Sequence, residues 1–213
     1  MSHDLDESTG KPAMAYVGER PWHGLGEALP PEQDIETWVK AARLDWGIEM
    51  LPVNYQMGGR NHVMRDRFVL ARSDTQAALS VVSGDYRVVQ PKEVLEFYRD
   101  LVEERQYQLE TAGALDGGRK VLALARTGLV AGVAGNPADE LGAYVLLATS
   151  CDKTLATTIT FTSVRVVCQN TLSFAVHDMK RESRRSIKVN HSRRFDADQI
   201  KQDLGLMDAS WDK

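Results

Sequence analysis

Three pairs of strand-like runs, each joined by a very short turn, constrain this chain more than any other feature. AYVLLATS (143–150) and LATTITFTSVRVVC (155–168) are separated only by Cys151-Asp152-Lys153-Thr154. IEMLPVNYQ and HVMRDRFVLARS flank Met57-Gly58-Gly59-Arg60-Asn61, and YQLETAGAL and RKVLALART flank Asp116-Gly117-Gly118. A turn this short can only return the chain alongside itself, because a parallel neighbour needs a crossover of a dozen residues or more. The sheet is therefore expected to be mostly antiparallel. Pro52 inside the first of these strands removes a ladder donor, so that strand is placed at an edge or at a bulge. ALSVVSGDYRVVQ reads as a further strand broken near Gly84, and SIKVN as a last one.

Helical periodicity appears between these runs. Asp34 can cap a helix over about 35–44, with Ile35, Trp38, Val39 and Ala42 on one stripe. Pro91 opens a second over 91–105, with Val94, Leu95, Tyr98, Leu101 and Val102 on one face. Short helices are expected over 170–177, with Asn170 as its cap, and 196–207. The fold class is α+β, a mostly antiparallel, curved β-sheet with inserted helices. Residues 1–13 are polar and charged and are expected to be a disordered tail. Residues 14–194 are expected to form a single α+β domain and 195–213 a C-terminal helix, either the last element of that domain or the start of a region absent from this chain. Residues 14–33 and 128–142 read as Gly- and Pro-rich loops. The central strand runs from Leu155 to Cys168 in this reading, with Cys168 in the core and Arg165 either paired with an acid or lining a groove.

No apolar run approaches the roughly 20 residues that span a bilayer. Two cysteines do not make a disulfide framework, and the reading is a cytoplasmic protein with no membrane partner. The five histidines are scattered without metal-ligand spacing, and GGRK lacks the frame of a phosphate-binding loop. No cofactor and no metal is expected. Cys168 lies among valines, and Cys151 sits at a hairpin tip beside Lys153, so neither position makes a case for a nucleophile. The motif inventory contains nothing that points to an enzyme.

Charge is unevenly distributed. Lys180, Arg181, Arg184, Arg185, Lys188, Arg193 and Arg194 face a single acid, Glu182, a net +6 over fifteen residues in a chain whose total is −4. The remainder carries −10, so an anionic partner would be engaged at one place rather than by the overall field. Arg60, Arg65 and Arg67 on the first hairpin can extend a phosphate-binding path, and Tyr55, Phe68 and Tyr86 are candidate stacking rings. The alternatives for the basic segment are a solvated connector or a contact with an acidic protein surface.

MAYVGERPWHGLGEAL, LSVVSGDYRVVQPKEVLEFYRDLVE, LETAGALDGGRKVLALA and LLATSCDKTLATTITFTSVRVVCQNTL together resemble the phage/plasmid-like family known as domain of unknown function 932. The resemblance runs from about Met14 to Arg194, with PWHGLG and VRVVCQNTL its most specific parts. Cys151 departs from it, since members more often carry histidine before the aspartate. The resemblance implies a mobile-element setting, in phages and plasmids, without supplying an activity. The order helix, strand, hairpin, strand, helix across 35–105 is also similar to the core of single-strand annealing proteins. That similarity implies a homo-oligomer that binds single-stranded DNA, in annealing or protection. The alternative is a protein-interaction module that meets a host protein, countering a defence or regulating replication.

Overall fold

Two glycines in the left-handed region, Gly58 and Gly59 (φ 59° and 72°), make the two-residue turn between β3 (Ile48–Met57) and β4 (Arg60–Arg72). With β5 (Ala78–Val82) these strands form a three-stranded antiparallel sheet in the order β3-β4-β5. The computed structural model describes residues 3–105, 107–132, 140–178 and 186–205. A second, larger sheet contains β1 (Met14–Tyr16), β2 (Glu27–Ala28), β6 (Gln108–Leu115), β7 (Lys120–Gly132), β8 (Glu140–Ser150), β9 (Thr157–Thr162) and β10 (Ser186–Val189). Its order is β10-β9-β8-β7-β6-β1-β2, antiparallel throughout except for β1 against β2. The class is α+β, with an open, curved, mostly antiparallel sheet.

The run VLALA in β7 explains the layering. Val121, Ala123 and Ala125 point to one core, and Leu122 and Leu124 to another, so both faces of the large sheet are covered. The first core receives α1 (Ile35–Ala41), α2 (Pro91–Glu96), α3 (Arg99–Arg105) and the inner face of β3-β4-β5. The second receives α4 (Gln169–Asp178), the N-terminal strand and the connection that precedes α4. The last helix, α5 (Ala197–Asp203), sets Ile200 and Leu204 into the first core. None of the described helices is long and apolar enough to cross a membrane.

Several expectations are corrected. Residues 3–13 are not a loose tail: Leu5 bridges Leu115, and Asp6 pairs with the buried guanidinium of Arg72. Arg72 also holds Asp74 at 2.7 Å and lies 4.0 Å from the Trp46 ring, so a composition that reads as solvated supplies one partner of a buried charge. Residues 14–33 contribute β1 and β2 rather than loop alone. Gly113 allows this, because a side chain there would meet the Ala13 carbonyl. The 91–105 helix is two helices parted at Phe97-Tyr98, where the fully buried Tyr98 hydroxyl lies 2.9 Å from the Ala123 carbonyl and 3.0 Å from that of Val145. The ladder of β7 and β8 runs on through Val130↔Gly142 to Gly132↔Glu140, shortening the expected 128–142 loop, and 133–139 lie outside the described residues.

The strand expected to reach Cys168 ends at Thr162. From there the chain crosses the outer face of the sheet. Val166 accepts a hydrogen bond from Thr111 Oγ1 (2.7 Å), and Arg165 pairs with Glu110 (2.7 Å) and donates to the Val17 carbonyl (3.0 Å). Cys168 is in the core, 1% exposed. Asn170 does not cap α4. Thr171, inside the first turn, reaches back to accept from the amides of Val167 and Cys168 (2.9 and 3.0 Å).

Candidate nucleic-acid interface

The end of the basic segment is held in place by stacking. Tyr86, just beyond β5, lies parallel to His191 with ring centroids 4.7 Å apart and 17° between planes. The Tyr86 hydroxyl donates to the Ser150 carbonyl (3.0 Å), Arg87 N–H donates to the His191 carbonyl, and His191 Nε2 lies 3.2 Å from the Leu155 carbonyl. The segment after β5, the β8–β9 turn and the chain after β10 thus meet at one point. They enclose a cavity of about 280 Å³ lined by Asp85, Tyr86, Lys153, Asn190, His191 and Ser192, among others.

One cation, Lys153, lines this cavity, and Arg87, Lys188, Arg193 and Arg194 are close to its lining residues in sequence. Lys153 is exposed in its wall, held at φ 69° in the β8–β9 turn, and Arg87 is exposed beside it. Lys188 in β10 is exposed, and so are Arg193 and Arg194. None of these three forms an ion pair with a carboxylate among the described residues. The charge of Arg67 also reaches this place. The Asp85 carboxyl is held below its ordinary value by a hydrogen bond from Ser83, its own backbone amide, and the charges of Arg87 and Arg67. Asp85 is the one acid that lines the cavity among the described residues.

The expected site residues divide into three groups. Arg193 and Arg194 directly follow the cavity-lining Asn190, His191 and Ser192, whereas Lys188 alternates with Ile187 and Val189, which face the first core, and so lies on the other face of β10. Lys180, Arg181, Arg184 and Arg185 lie outside the described residues. Arg60, Arg65 and Arg67 are exposed on the β3–β4 hairpin, where Pro52↔Phe68 is followed by Val53↔Met64, leaving Arg65, Asp66 and Arg67 as a three-residue bulge. Arg67 pairs with Asp66 at 3.2 Å. Arg60 is at the tip, roughly 20 Å along the strand from Arg67, and does not join the cavity.

Of the candidate stacking rings, Tyr86 is 7% exposed and Phe68 packs against the first core, so sheet packing accounts for both. Tyr55 is 46% exposed and stacks on His62 at 5.1 Å. Lys153, Arg87 and His191 were not among the expected site residues. The sequence signals for them are slight: Lys153 falls in a hairpin turn, Arg87 in a run read as a broken strand, and His191 inside the basic segment.

Cys151 is 5% exposed, and its thiol donates to the Arg119 carbonyl (3.4 Å). Burial, with Asp152 adding to it, pushes the thiol up to about 12, which works against a thiolate there. Asp152 itself folds back on Thr154, accepting from its hydroxyl (2.6 Å) and amide (3.0 Å). No three His, Cys, Asp or Glu side chains converge as a metal site among the described residues.

The architecture is that of a two-faced antiparallel sheet whose β10 edge carries exposed cations. Residues 78–213 match the family described as Domain of unknown function (DUF932), and the chain belongs to that family. The match covers β5 and everything after it, so PWHGLG lies outside the matched span and VRVVCQNTL inside it. Neither the curated proteins nor the solved structures contain a match to the chain.

Proposed function

We propose that this chain is a mobile-element protein that binds single-stranded DNA along its β10 edge, annealing or protecting the strand without chemistry of its own. The observation that carries this reading is the exposure of Lys188, Arg193 and Arg194 in and just after the edge strand β10, with no carboxylate partner among the described residues. Exposed cations with no carboxylate partner among the described residues, on a chain of net −4, favour an anionic ligand at that place, and phosphates release counterions when they occupy it. Lys180, Arg181, Arg184 and Arg185 continue the same run in sequence. Fluorescence anisotropy with labelled single-stranded and duplex oligonucleotides across a salt series tests it. With about six phosphates neutralised, log K falls with log salt at a slope near −4, about 0.7 per phosphate. Affinity that ignores salt, or absent binding at low salt, refutes it.

A second reading draws support from the hairpin beyond the bulge, where Tyr55, Met57 and Val63 are exposed (46, 70 and 59%). An interaction module that meets a host protein, countering a defence or regulating replication, would use the face that Tyr55 and Met57 share, with Val63 on the opposite face. Capture of a host protein that survives nuclease treatment favours it.

A further inference from the structure

Beyond the bulge, β3 and β4 leave the body as a ribbon of only two strands, because β5 pairs with β4 no further than Phe68↔Val82. Residues directly opposite share a face, so Val53 with Met64, Tyr55 with His62, and Met57 with Arg60 line one side of this arm. Tyr55, Met57 and Met64 are exposed (46, 70 and 39%). A bare two-stranded ribbon is marginal in water, and apolar side chains along one face add to the cost of leaving it uncovered. The arm is also basic: Arg60, Arg65 and Arg67 outnumber Asp66.

The helical layer has the opposite character. Segments 31–45 and 90–105 carry nine carboxylates and five cations. Between α1 and the end of α3 they border a groove of about 660 Å³, with an apolar floor that includes Val17, Trp38 and Tyr107 and with Glu32, Asp34 and Glu103 at its walls. Glu32 is exposed, and Glu103 is 59% exposed with a 3.3 Å contact to Arg99. Apolar floor and acidic rim complement the apolar face and basic rim of the arm.

We infer that the arm of one copy docks in the α1–α3 groove of a second copy, Tyr55 and Met57 entering the floor and Arg60 meeting Glu32 and Glu103. The two surfaces are different patches of the same chain, so the contact is head-to-tail and each added copy leaves one arm and one groove free. Such a contact repeats into a ring or a filament. The inference does not rest on DNA binding.

The test is the mass of the full chain by light scattering and sedimentation at about 1–50 μM, at low and high salt. An arm variant combines Tyr55→Ser, Met57→Ser and Arg60→Glu, and a groove variant combines Glu32→Arg and Glu103→Arg. All five positions are exposed, and circular dichroism and melting confirm that each variant folds. Expected are a concentration-dependent assembly for the wild type, at least tenfold weaker association for either variant alone, and growth that salt reduces. A mixture of the two variants supplies one intact arm and one intact groove, so it stops at a one-to-one pair. A wild type that stays monomeric throughout overturns the inference. So does an assembly that both variants leave unchanged, or a mixture of folded variants that forms no pair.

Discussion

The Tyr86 ring lies flat against that of His191, 4.7 Å away, tying the segment after β5 to the chain that leaves β10 across more than a hundred residues of sequence. The contact presents Arg193 and Arg194 on a fixed turn, where the Arg193 amide donates to the Asn190 carbonyl (2.9 Å). Tyr86→Phe keeps the stack and removes the hydroxyl that Ser150 accepts, at an expected cost of about 1 kcal/mol in urea unfolding. His191→Ala leaves the Tyr86 hydroxyl bond in place and frees the turn. Its expected signature is weaker oligonucleotide binding, about threefold, with a melting point close to wild type.

Charge reversal at Arg193 and Arg194 together acts on the proposed strand contacts without touching the core, since both side chains are exposed. Binding is expected to weaken alike for all sequences, because phosphate contacts carry no base information. The salt slope shrinks by about 1.4, two phosphates at about 0.7 each. A double variant that keeps the wild-type slope places the strand elsewhere. Reversal of Arg184 and Arg185 measures the same quantity for the rest of the run.

Asp6 and Asp74 are among the carboxylates that shape the acid limb of stability. At Asp6 burial works to raise the carboxyl, but hydrogen bonds from Arg72 and Ser8 and the guanidinium charge outweigh it, and the result lies below 3.8. At Asp74 the hydrogen bond from Arg72 leads, and that carboxyl is low as well. Both folded values lie under the unfolded one, so the unfolded chain takes up protons first as pH falls. The stabilisation is complete above the unfolded value and is lost as pH falls through the lowered folded values. Urea midpoints are expected to hold down to about pH 5 and then decline. Asp6→Asn leaves Arg72 without its most buried partner, at about 3–5 kcal/mol at neutral pH, and flattens the acid limb.

Both cysteines are buried (5% and 1% exposed), and Cys151 is held protonated. Thiol titration at pH 8 is expected to find neither reactive on the native protein and both reactive in denaturant, with native labelling tracking unfolding. Rapid modification of Cys151 in the folded chain would restore it as a candidate nucleophile.

The hairpins were the legible part of the sequence, because Gly58-Gly59, Asp116-Gly117-Gly118 and Cys151–Thr154 are local devices that need no knowledge of the rest of the chain. The bulge at Pro52 and the edge position of β3 follow from one missing amide. The N-terminal segment was illegible for the opposite reason. Leu5 and Asp6 are a single apolar and a single acidic residue in a polar stretch, and their partners, Leu115 and Arg72, are remote. Arg165 and Val166 stand in a run with strand composition, yet the ladder ends at Thr162, where hydrogen bonds with Thr111 and Glu110 draw the chain across the sheet. Composition could not decide between those outcomes. At the candidate site, Lys188, Arg193 and Arg194 were visible as a charge run. Lys153, Arg87 and His191 join them only through the stacking and turn geometry.

The position of β1 has a consequence for synthesis. Met14, Ala15 and Tyr16 pair with Gly113, Ala112 and Thr111, about a hundred residues further along the chain. At about 5–20 residues per second, a ribosome needs roughly 5–20 s to deliver that partner. Through that interval the apolar Met14–Tyr16 stretch has only the two-residue β2 to pair with, while the β3–β4 hairpin behind it can already close. The described residues just before β1 are mostly polar, and three of them, Leu5, Asp6 and Ala13, become part of the interior only once β6 and β4 have been made.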